Sequence, residues 1–134
     1  MTKKDFLEAR RTYVMAKACY EIAKTDADKA ECAFAERRGY GYKLIWTLVD
    51  LDEVTFEKLC EEWAVECTNE NEKLAKAQAV LNEAEKHFAE IAVTDVLLPA
   101  SELSAFRAAI NANAAVRSKI IDLAMKLDVR TMPA

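Results

Sequence analysis

The sequence predicts an all-α fold: a long, coiled-coil-like antiparallel helical hairpin with a short helix at its tip and a third helix packed along it. Three observations carry this reading. Only two glycines and two prolines occur in 134 residues, where average usage is about 7% and about 5%; sheets and their turns consume both residue types and helix interiors exclude them. Steps of seven from Phe6 pass through Tyr13, Tyr20, Ala27 and Phe34, with Ala9, Ala16, Ala23 and Ala30 between them. That is a seam of aromatics alternating with alanines, the mark of a long helix lying close to another. A second seam runs through Phe56, Cys60, Trp63, Cys67, Glu70, Leu74, Ala77, Leu81, Ala84, Phe88 and Ile91.

The first helix is expected to open at Thr2, with Asp5 three residues on completing a capping box, and to run to Arg38 before Gly39 stops it. Tyr40 to Leu51 holds the densest apolar run of the chain and reads as a turn leading into a short buried or half-buried helix. Asp50 with Glu53, or Asp52 with Thr55, can open the second long helix, which is expected to continue over 53–93 without interruption. The connection Thr94 to Ala100 ends at Pro99, and Ser101 then caps a third helix to Asp128, with Leu103, Phe106, Ile110, Ala114, Val116, Ile120, Leu123 and Leu127 on its inner side. Asn111, Asn113 and Arg117 fall at the edge of that stripe.

The two long seams can be matched by size. In one antiparallel register Ala9 faces Phe88, Tyr13 faces Ala84, Ala16 faces Leu81, Tyr20 faces Ala77 and Ala23 faces Leu74, one large residue against one small in each layer. Phe34 then meets Trp63, Ala30 meets Cys67 and Phe6 meets Ile91. The flanks pair Arg10 with Glu85, Asp26 with Lys73 and Arg38 with Glu57. A shift by one heptad sets large on large and small on small, costing about 1–3 kcal/mol per mismatched layer. Glu70, facing Ala27, and Arg37, near Cys60, are the polar interruptions of the seams, and a lone polar seam residue serves to fix register.

The length fits a single helical domain over residues 1–134. No stretch approaches the roughly 18 apolar residues of a membrane span, and the charged start argues against secretion, so a cytoplasmic location without membrane association is expected. The four cysteines, Cys19, Cys32, Cys60 and Cys67, form no CxxC pair and read as small buried hydrophobes in a reducing compartment. The net charge of −4 divides into +3 over residues 1–43, −9 over 44–100 and +2 over 101–134. The middle of the chain is an acidic element between two mildly basic ones.

No catalytic, metal or cofactor signature is present. His87, the one histidine, shares a helix face with Glu83 and Glu90 but lacks the second Glu-x-x-His of di-iron bundles and any HExxH. There is no glycine-rich phosphate loop and no GxSxG. The expectation is therefore a non-enzymatic chain with no cofactor and no metal.

Two surfaces are candidates for a partner. The first is the tip, where Arg37, Arg38, Tyr40, Tyr42 and Lys43 interleave cations with aromatics and Trp46 sits at the centre of the apolar run. The second is the acidic run of the second helix, Glu57, Glu61, Glu62 and Glu66, whose spacing covers more than one helix face, so that part of it is solvated whatever the packing. The reading is a protein-binding module acting as an adaptor or a steric inhibitor, of the kind often encoded by phages and mobile elements. Two alternatives stand beside it: a nucleic-acid binder using Arg37 to Lys43, whose arginines would hold phosphates while its tyrosines stack on bases, and a structural homo-oligomer such as a homodimer.

Overall fold

A computed structural model describes residues 3–92, 110, 112–127 and 130. The predicted Thr2 cap, the Thr94 to Ala100 connection, Ser101, Leu103, Phe106 and Asn111 lie outside the described residues. The chain is all-α: helix α1 (Lys3–Arg37), a 3-10 turn (Ile45–Thr47), α2 (Glu53–Glu66), α3 (Thr68–Ala92) and α4 (Ala114–Met125), with no strand among the described residues. Helix α1 packs extensively against α3, forming the helical hairpin that the two seams predict. The contacts group into two compact units, one of residues 1–17 with 79–134 and one of residues 18–78.

In the first unit, Phe6, Ala9, Tyr13 and Ala16 of α1 and Leu81, Ala84, Phe88, Ala89, Ile91 and Ala92 of α3 are buried. The Phe88 ring lies 5.5 Å from the ring of Phe6 and 5.5 Å from that of Tyr13. Those two rings stand one turn either side of Ala9, so Phe88 occupies the layer that the alanine leaves open. Aromatic pairs at this spacing contribute beyond their buried area.

The last helix differs from expectation. Asn113 adopts an extended conformation (φ −134°, ψ 108°), and its side chain accepts hydrogen bonds from the amides of Ala115 and Val116, so α4 starts there. A helix running unbroken through 113 is thereby excluded, because asparagine offers the backbone a better partner as a cap than as an interior residue. The break rotates the inner face: Ile120, Ile121 and Ala124 are buried with Ile110, while the expected Ala114 and Leu123 are exposed and Val116 and Leu127 are half-buried. Arg117 spans the break by donating to the Ile110 carbonyl at 2.8 Å.

In the second unit α1 ends on a Schellman motif. Gly39, at φ +88°, lets its amide reach the Glu36 carbonyl at 3.0 Å and the Tyr40 amide reach that of Ala35 at 3.0 Å. Tyr40 then folds onto a cluster built on Phe34, Ile45, Leu59 and Cys67, joined by Ala30, Leu48, Leu51, Phe56, Cys60 and Trp63. The Glu31 carboxylate accepts from the Ile45 amide at 2.9 Å and so anchors the 3-10 turn to α1. Of the two predicted caps for α2, the structure takes Asp52, whose carboxylate accepts from the Thr55 amide at 2.9 Å.

The predicted 53–93 helix is divided at Cys67, which leaves helical geometry (φ −102°, ψ 24°). The next residue gives the physical reason. The Thr68 hydroxyl donates to the carbonyls of Ala64 and Val65, both at 2.8 Å, a local competition with the backbone ladder that bends helices. The ladder resumes with the Asn71 amide on the Cys67 carbonyl at 3.0 Å.

Two substitutions test this packing. Phe88→Ala is expected to lower the free energy of unfolding by about 3–5 kcal/mol, read from urea denaturation. Gly39→Ala, whose added Cβ meets nothing within 4 Å, should cost about 1–2 kcal/mol from the left-handed backbone alone, with the same measurement reporting it.

Candidate functional site

The connection between α1 and α2 sorts its eight large apolar side chains. Ile45 is buried, while Tyr40, Leu44, Leu48 and Leu51 are half-buried. Tyr42, Trp46 and Val49 stay 56%, 72% and 84% exposed. The 3-10 turn explains the split: with about three residues per turn, Ile45 and Leu48 share the inward side and Trp46 and Val49 the outward side. The Thr47 hydroxyl donates back to the Leu44 carbonyl at 2.6 Å and holds the turn closed. Val49 was not singled out in the sequence, where nothing separates it from its apolar neighbours until the turn phase is known.

The basic and acidic candidates, read from sequence as separate surfaces, are brought together. Arg38 ion-pairs with both Glu62 and Glu66, and Arg37 with Glu66 at 3.4 Å. The Arg38 guanidinium also lies over the Phe34 ring, 4.9 Å from its centroid, a placement that favours the cation. The predicted Arg38 to Glu57 pair is not formed. Glu62 and Glu66 stand one turn apart on the side of α2 nearer α1, and they take the arginine in its place. Glu57, Glu61 and Lys43 are exposed. A groove of about 330 Å³ is lined by Arg38, Glu61, Glu62, Val65 and Glu66.

The electrostatics follow this geometry. Hydrogen bonding from Arg38 holds the Glu66 carboxyl below its ordinary range, and the same contact raises Arg38 above its own. The hydrogen bonds from Thr55 lower Asp52. Burial, reinforced by Glu70, pushes the Cys67 thiol up, and burial with Glu31 does the same for Cys32 and Cys60. The cysteines are not uniformly buried as expected: Cys67 is, Cys32 and Cys60 are half-buried, and Cys19 is exposed.

The other two predicted charge pairs are also absent among the described residues. Arg10 sits over the Phe6 ring at 5.7 Å instead of reaching Glu85. Asp26 and Lys73 line one cavity of about 430 Å³, together with Cys19, Ile22, Ala23, Lys29 and Glu70, without an ion pair between them. His87 is exposed and borders a second hollow, of about 390 Å³, with Asp5, Glu8, Ala9, Thr12 and Ile91.

No family model, curated protein or solved structure matches this chain. Among the described residues no group of three or more His, Cys, Asp or Glu is arranged to hold a metal ion, and no helix is long and apolar enough to cross a membrane.

The lowered carboxyls set a pH dependence with a definite sign. A carboxyl whose folded-state value is depressed stabilises the fold above its unfolded value, about 4.3 for Glu and about 3.9 for Asp, and loses that contribution as the pH falls through the folded value. The difference in Tm between wild type and Glu66→Gln should therefore be largest above the ordinary glutamate range and shrink as the pH falls below it, measured by thermal unfolding at stepped pH.

Proposed function

We propose that the protein is a non-enzymatic binding module that acts on a protein partner, as an adaptor or a steric inhibitor, through the apolar surface of the connection centred on Trp46. One observation carries this reading: a tryptophan 72% exposed, with Val49 and Tyr42 also exposed, on a turn held by the Glu31 and Thr47 hydrogen bonds. A preorganised aromatic anchor beside small apolar contacts is how binding energy concentrates in protein interfaces, since little ordering cost remains to be met on association. The pairing of Arg37 and Arg38 with Glu62 and Glu66 favours a protein over a nucleic acid. Phosphates would have to compete with carboxylates already in place.

The test immobilises wild type and Trp46→Ala and challenges both with lysate of the native cell. The expected result is a stoichiometric protein held by wild type, retained roughly tenfold less by the variant, that binds again once purified. Equal retention by both baits overturns the reading. Retention that disappears on nuclease treatment and with Arg37, Arg38 and Lys43 all changed to alanine assigns the surface to nucleic acid instead.

A further inference from the structure

Helix α2 has a second organised face. Phe56, Leu59, Cys60 and Trp63 point into the cluster, with Cys67 beside them just past the helix end. At about 100° per residue, Val54, Lys58, Glu61 and Val65 fall within about 60° of one another on the diametrically opposite side. All four are exposed, Val54 and Val65 at 75% and 76%. Neither Lys58 nor Glu61 joins an ion pair among the described residues, whereas Glu62 and Glu66, on the flank of the same helix, are held by Arg38.

The order along this face is apolar, basic, acidic, apolar. Read backwards, it is apolar, acidic, basic, apolar, which is its own electrostatic complement. A copy of the helix laid antiparallel therefore sets Val54 on Val65 of the other chain and Lys58 on Glu61 of the other chain. The two-fold axis repeats both contacts, as an isologous interface requires. Other arrangements lose the match: parallel pairing sets Lys58 on Lys58 and Glu61 on Glu61, and a shift of one turn sets Lys58 on Val65 or Glu61 on Val54. Such penalties fix register more strongly than the matched pairs add affinity.

We propose that this face of α2 binds a second copy of the chain, antiparallel about a two-fold axis that passes between Lys58 and Glu61. Three turns of helix offer less than the roughly 800 Å² per partner of a standard interface, so the contact belongs to the weak, reversible class. It uses none of Tyr42, Trp46 and Val49 and does not rest on the function proposed for them.

Sedimentation equilibrium over a wide range of protein concentration tests the idea at low salt. The weight-average mass should rise from 15.1 kDa toward twice that value. Lys58→Glu, which sets two like-charged pairs in the interface, should weaken association by roughly tenfold. The double variant Lys58→Glu with Glu61→Lys restores both pairs in reverse and should return to within about twofold of wild type. Trp46→Ala should associate as wild type does. All these positions are exposed, and unchanged circular dichroism confirms folding. A wild-type mass constant with concentration, a double variant no better than the single one, or loss of association in Trp46→Ala would each overturn the proposal.

Discussion

Phe34 is the residue on which the connection between α1 and α2 converges. It is fully buried one turn before the end of α1, and each neighbouring feature uses it differently. The Schellman turn at Gly39 brings Tyr40 back onto its cluster, Ile45 of the 3-10 turn and Leu48 just after it pack on the same cluster, and Leu59 of α2 and Cys67 at its end close it. The face of its ring also seats the Arg38 guanidinium. A large side chain near a helix end thus fixes both the return path of the chain and the position of the cation that links α1 to α2.

Much of this was legible in the residue order because it rests on size and backbone geometry, which are local properties. An alanine between two aromatics leaves a hole, and Phe88 fills the one at Ala9. A glycine after a charged helix end permits a left-handed residue, and Gly39 supplies it. The charge pairs were not legible, since an arginine reaches several turns of a facing helix and goes where two carboxylates converge. Glu62 and Glu66 offered that to Arg38; Glu57 alone did not. The division at Cys67 and the start of α4 at Asn113 were hidden for a related reason. Both depend on a polar side chain choosing a nearby backbone group over solvent, and the hydrophobic period carries no trace of that choice. The Glu31 contact to Ile45 joins residues fourteen positions apart, beyond any local pattern.

The candidate surface was legible in its composition and not in its partition. The density of apolar residues from Tyr40 to Leu51 marked the segment, but only the phase of the 3-10 turn decides that Ile45 goes in and Trp46 stays out. The acidic residues divide in the same way. Those on the flank of α2 serve the fold by holding arginines, and those on its outer face, Glu57 and Glu61, are left to solvent. The acidic run covers more than one face of the helix, and the angle between those faces separates its two populations.

The placement of the four cysteines sets two of them at opposite extremes. Cys19 meets solvent directly, while Cys67 is enclosed where α2 gives way to α3, with Glu70 adding to the cost of its thiolate. Only a thiolate reacts with an electrophile, and Cys67, 3% exposed within the Phe34 cluster, is out of a reagent's reach until the packing around it opens. A reagent that modifies Cys19 therefore reports on the surface of the folded protein. Modification at Cys67 keeps time for a different event, the opening of the cluster that encloses it.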